Sequence, residues 1–108
     1  MDKKALGKRM NIARKSCGLT SEGLSERCNV NATYIRQIEA GTKVPSLPVF
    51  VDICNALEIS PTYLLTDMLG QNEMSHFDAL SELWNDAEPD QIRIITAMLR
   101  TALEEIKK

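Results

Sequence analysis

Within the nine residues Asn31 to Glu39 (Asn-Ala-Thr-Tyr-Ile-Arg-Gln-Ile-Glu), the side chains of Thr33, Arg36 and Gln37 recur at helical spacing and so share one face of a short helix. An arginine can donate twice to O6 and N7 of guanine, a glutamine pairs twice with N6 and N7 of adenine, and a threonine brings a hydroxyl and a methyl. That is chemistry for reading base edges. To present it, the helix must be anchored: Asn31 can cap it, Val30, Ile35 and Ile38 point to a core, and Gly41 ends it before the loop Thr42-Lys43-Val44-Pro45. The segment Thr20 to Cys28 reads as another short helix, and only Asn29, Val30 and the capping Asn31 separate the two. Asparagine tolerates the left-handed backbone a sharp turn demands. Helix, tight turn and helix at this spacing imply sequence-specific binding of double-stranded DNA in the major groove.

Other elements must hold this pair in place. Leu6, Met10, Ala13 and Cys17 recur at helical intervals among Lys4, Lys8, Arg9 and Lys15, so residues 3–17 are expected to form an amphipathic helix closed by Gly18. Thr20 is placed to cap the second helix, with Leu24 and Cys28 facing inward. A fourth helix follows the cap Ser46, tolerates Pro48 in its first turn, and carries Leu47, Phe50, Ile53, Cys54 and Leu57 as its apolar stripe. Ser60-Pro61 starts a short fifth helix through Tyr63, Leu64 and Leu65. The pattern lapses from Thr66 to Ser75, where Gly70, Gln71 and Asn72 mark a linker. Two further helices are expected: His76 to Ala87, with Phe77, Leu80, Leu83 and Trp84 on one side, and Pro89 to Lys107, with Ile92, Ile95, Leu99, Ala102 and Ile106 in a seam that Ile94, Met98 and Leu103 widen. The organisation read from this is a domain at 1–66, a linker at 67–74 and a C-terminal segment at 75–108. No strand pattern, repeat or low-complexity stretch appears.

Charge separates the same regions. The 108 residues sum to −2, but residues 1–43 carry nine Lys/Arg against four Asp/Glu, and residues 44–108 carry four against eleven. A basic surface facing phosphates, joined to an acidic module that turns away from them, produces such a split. No apolar run approaches the roughly 18 residues of a membrane span. The start, Met-Asp-Lys-Lys-Ala-Leu, lacks the apolar core of a secretory signal, so a cytoplasmic protein is expected. Cys17, Cys28 and Cys54 are widely spaced, and the single histidine, His76, is far from all three, so neither metal-ligand spacing nor a Cys-His pair is present. Cys28 and Cys54 fit small apolar core positions instead. With no phosphate-cradling glycine loop, Ser-His set or acidic pair, an enzyme and a cofactor are not expected.

Residues 6–65 resemble the lambda-repressor-like, Cro/Xre-type DNA-binding domain of bacterial and phage regulators. The resemblance rests on Leu6, Arg14, Gly18, Leu19-Thr20, Glu22, Leu24, Val30, Tyr34-Ile35, Ile38-Glu39, Gly41, Pro45-Ser46-Leu47, Ala56-Leu57 and Leu64-Leu65. It implies an all-α fold, a five-helix lambda-repressor-like domain, and the two helices read beyond it make a C-terminal dimerisation tail. Carried onto this chain, it makes Ala32, Thr33, Arg36 and Gln37 the base readers, with Tyr34 on a flanking phosphate or thymine methyl. Arg9, Ser21, Asn31, Thr42 and Lys43 are the candidate phosphate contacts, since helix N-termini present free amides to anions. Arg14 and Glu39 match a family salt bridge between the first and third helices. Ser21 stands where the family often has glutamine, Asn29 where glycine is usual, and Ala32 where a polar residue is common, leaving Ala32 only apolar contact.

One such domain covers about half an operator, and a symmetric dimer reads two half-sites about 34 Å apart. The tail is expected to supply that dimer through Phe77, Leu80, Trp84, Ile92, Ile95, Leu99 and Ile106, the alternative being that both helices fold back on their own domain. Two helices of this length leave no room for a ligand pocket of the usual 300 Å³ or more, so no effector site is expected. The combined expectation is a transcriptional regulator, a repressor of simple build, that binds an inverted-repeat operator as a homodimer. The alternative is an antitoxin or antagonist-type interaction module whose acidic tail holds a partner protein.

Overall fold

The computed structural model describes residues 3–66 and 80–106, with side chains through Arg100. The expected linker at 67–74, together with His76 and Phe77, lies outside the described residues, as do the side chains of Ala102, Leu103 and Ile106. Among the described residues every regular element is a helix: α1 (Lys3–Ser16), α2 (Ser21–Cys28), α3 (Ala32–Glu39), α4 (Leu47–Leu57), α5 (Pro61–Leu65), helical residues 80–83, and α6 (Pro89–Ile106).

Short polar side chains set the helix starts. Thr20 Oγ1 accepts from the Gly23 amide at 2.9 Å, Asn31 Oδ1 from Tyr34 at 2.9 Å, Ser46 Oγ from Val49 at 3.4 Å and Ser60 Oγ from Tyr63 at 3.3 Å. Each satisfies an amide with no partner inside its helix. At the start of α6, Glu88 takes the capping position and Gln91 Oε1 accepts from its amide at 3.1 Å, one arm of a capping box. Left-handed non-glycine residues close two helices, Asn29 (φ 56°) after α2, as its type predicts, and Glu58 (φ 54°) after α4, while Gly18 (φ 73°) and Gly41 (φ 80°) follow α1 and α3. The penultimate helical stretch stops at Leu83, short of the expected Ala87. Residues 84–86 turn, the Ala87 amide donates to Trp84 O at 3.0 Å, and Asn85 and Asp86 suit a turn better than a helix before Pro89.

α3 packs against α1 and α2, α2 against α4, α1 against α5, and α5 against α6. Leu6, Met10, Leu24, Ile35, Ile38, Phe50, Ile53, Leu57, Leu64 and Leu65 fill the centre. Where α1 crosses α3 the backbones nearly touch. A Cβ on Gly7 would lie 2.8 Å from the Glu39 carbonyl carbon and closer still to the Ile38 and Glu39 oxygens. Only glycine fits there.

The C-terminal residues join this same core. Leu80, Leu83, Trp84, Ile92, Ile95 and Leu99 are buried in one continuous cluster with the first five helices. Trp84 packs against Phe50 with ring centroids 5.0 Å apart, and its indole Nε1 donates to Pro45 O at 2.8 Å inside the protein. Five side chains expected at a dimer seam, Leu80, Trp84, Ile92, Ile95 and Leu99, are therefore spent on the chain's own core. Part of the reason is Phe50 on α4, an apolar ring that Trp84 covers.

A groove of about 540 Å³ lies between α4 and α6, lined by Leu47, Val51, Cys54, Ile59, Ile94 and Met98 among others. This corrects the expectation that no space of ligand size exists. The tail alone cannot enclose one, but the tail against α4 does. Among the described residues no helix is long and apolar enough to cross a membrane, and no cluster of metal-ligating side chains occurs.

Candidate nucleic-acid interface

The site is built from α2, the Asn29–Asn31 turn and α3. Ile35 and Ile38 are fully buried, which fixes the rotation of α3 about its axis. Thr33 and Arg36 are consequently exposed and Gln37 half-buried on the opposite side, with Ala32 half-buried at the first helical position. The three polar readers expected from spacing are thus brought together on one outward face.

A buried polar cluster holds the helix at its far end. Arg14 Nε donates to Glu39 Oε2 at 2.7 Å and Arg14 Nη2 to Glu39 Oε1 at 3.0 Å, a two-pronged pair whose side chains are 11% and 9% exposed. Arg14 Nη1 also donates to Leu19 O at 2.8 Å, and Asn11 Nδ2 to Glu39 Oε1 at 2.6 Å. The hydrogen bonds that Arg14 donates to Glu39 raise the Arg14 pKa above its ordinary value against the opposing effect of burial, with the charges of Glu39 and Glu22 adding to the rise. One arginine therefore ties α1, the α1–α2 loop and α3 together. Asn11 was not singled out in the sequence, because its role depends on where Glu39 lands.

The other expected contacts fall into distinct settings. Ser21 is half-buried at the start of α2, and Asn31 is exposed, its carbonyl taken by the cap while its amide NH₂ can still donate. Tyr34 is half-buried against the core edge, and its hydroxyl oxygen accepts from the Ser46 amide at 3.2 Å, coupling α3 to the start of α4. The Thr42 hydroxyl donates to Gln37 O at 3.0 Å, and the Thr42 and Lys43 amides donate to the same carbonyl. Thr42 reaches a phosphate only by releasing that carbonyl, whereas the Lys43 side chain is exposed beside it. Arg9 lies on α1 with its guanidinium 5.2 Å from the Tyr63 ring centre on α5. An ion pair not anticipated from sequence joins the two helices of the motif: Arg36 Nη2 donates to Glu22 Oε1, both side chains being more than half exposed.

Residues 10–64, more than half of the chain, match the family described as helix-turn-helix. The chain belongs to the Cro/Xre-type helix-turn-helix family. This family member is 30% identical over 60 residues to the uncharacterised HTH-type transcriptional regulator YazB of Bacillus subtilis, a match spanning 56% of the chain and 87% of YazB. Its structure is similar to that of the restriction-modification controller protein C.AhdI from Aeromonas hydrophila, with a TM-score of 0.56 and 28% identity over 58% of this chain and 96% of that one. It shares the fold of the clp gene regulator ClgR from Corynebacterium glutamicum, with a TM-score of 0.59 and 23% identity over 88% and 90% of the two chains. The protein is a transcriptional regulator with a helix-turn-helix DNA-binding domain; its family and relatives are DNA-binding regulators, not enzymes.

Proposed function

We propose that this regulator acts in the cytoplasm as a repressor, binding an inverted-repeat operator as a homodimer. The observation that carries the reading is the outward face of α3, where Thr33, Arg36 and Gln37 stand together behind a tight turn while Ile35 and Ile38 lock the helix from beneath. Arg36 takes a guanine, Gln37 an adenine and Thr33 a neighbouring edge, with apolar contact from Ala32. Ser21, the Asn31 amide and Lys43 flank that face and hold phosphates, while Tyr34 braces α3 from its side.

For the dimer, the supporting feature is the surface that the core leaves uncovered. Val51, Ile94 and Met98 are 43%, 63% and 59% exposed, and all three line the groove between α4 and α6. Closing it against a second copy covers apolar area that a monomer leaves in water, and a two-fold axis there yields paired recognition helices. A dimer seated on a promoter in this way occludes it, which is repression.

The test is selection of bound sequences from a random duplex pool, with sedimentation of the same protein. An inverted repeat with half-sites about one helical turn apart, bound by a dimer, is expected. Enrichment of a single unrepeated half-site by a monomer contradicts the dimer, and no enrichment contradicts base reading.

A further inference from the structure

The Arg36–Glu22 pair places a carboxylate from α2 directly on the one cation among the proposed base readers. Both side chains are largely exposed, at 54% and 61%, so the pair adds little to folding and its importance lies in what Arg36 does next. A guanidinium has five N–H donors in a planar fork, and the bond to Glu22 uses one N–H on Nη2. The rest of the fork remains open.

On random DNA an arginine on a recognition helix swings to the nearest phosphate, adding affinity that carries no sequence information. With Glu22 in place, that move exchanges one anion for another and gains little. A guanine edge asks for no such exchange, because O6 and N7 can take the free side of the fork while Glu22 keeps its hold. Building on the base-reading role proposed for Arg36, we infer that Glu22 is a specificity-determining residue: it positions Arg36 for a base and competes with the phosphates for it.

The test compares affinities for the selected operator and for a random duplex of equal length, across a salt series, in wild-type protein and the variants Glu22→Gln, Glu26→Gln, Arg36→Ala and Glu22→Gln/Arg36→Ala. Glu26 is exposed one helical turn further along α2, so its variant makes the same charge change away from the pair. Glu22→Gln is expected to raise random-DNA affinity more than operator affinity, lowering their ratio about fivefold, within the range exposed ion pairs can supply. Its salt slope on random DNA steepens by about one phosphate contact. Glu26→Gln shifts both affinities together and keeps the ratio. In the Arg36→Ala background, Glu22→Gln leaves the ratio unchanged.

An unaltered ratio in Glu22→Gln, a ratio change matched by Glu26→Gln, or a change that persists without Arg36 overturns the inference while leaving base reading by α3 intact. A wild-type protein with no sequence preference overturns the base-reading proposal itself, and this inference with it.

Discussion

Lys43 and Arg36 carry the same charge, but the roles proposed for them differ: phosphate for Lys43, a base edge for Arg36. Lys43 sits in the loop after α3, exposed, with its backbone amide held by Gln37 O. A lysine there meets phosphate only, so Lys43→Ala is expected to weaken operator and random duplex by the same factor and to reduce the salt slope by about one; titration of both duplexes at several salt concentrations checks it. The thiols obey a different logic. Burial raises the Cys28 pKa from 9.0 to about 11 and the Cys54 pKa from 9.0 to about 12, with smaller contributions from Asp52 on Cys28 and from Cys28 on Cys54. The folded chain thus holds these protons more tightly than the unfolded chain, so their contribution to stability is complete below pH 9 and declines as pH rises above it. Urea titrations on the alkaline side should show stability falling with pH, and falling less steeply in Cys54→Ala. At this scale the shared outward placement of Thr33, Arg36 and Gln37 was legible because helical spacing alone puts them on one side. The Glu22 pairing was not, since those residues lie fourteen apart and meet only through the angle between two helices.

At the level of elements, the helices are positioned by a close approach that pattern reading passes over. Gly7 looks like a mild defect in an amphipathic helix, yet it lets α1 lie against the last carbonyls of α3. Gly7→Ala should force the two helices apart at a cost of about 1 to 3 kcal/mol, and because α3 shifts, operator binding should fall together with thermal stability. Denaturation and binding measured on the same preparation check the coupling; stability retained with binding lost would show a local shift of α3 alone. The first five helices were readable from caps, turn residues and apolar spacing because each is specified locally. Ser46, Ser60-Pro61 and Asn29 act within one turn of where they stand. The end of the helical stretch at Leu83 was harder, since Trp84 is fixed by Pro45 and Phe50 from far up the chain.

For the whole molecule, the described C-terminal residues share one core with the first five helices, as the fold-back alternative has it. A seam of spaced apolar residues on α6 says only that the helix needs a partner, and the nearest one is its own domain: Ile92, Ile95 and Leu99 are buried there. What remains for association is the outer residues, Ile94 and Met98, with Val51 across the groove. Ile94→Asp should leave the fold intact, because that side chain is already 63% exposed, while shifting the proposed dimer towards monomer and weakening binding to a two-half-site operator more than to one half-site. Sedimentation and binding to both duplexes check this, and an unchanged dimer would move the interface elsewhere.

Whether the exposed face of α3 reads bases is decided by Arg36→Ala, measured on the selected operator and on random duplex. The expected result is a loss of about 1 to 3 kcal/mol on the operator, a relaxed preference at one base pair, and a much smaller loss on random DNA. Equal losses on both duplexes, with the preferred sequence unchanged, would contradict it and leave Arg36 as one more contact to phosphate.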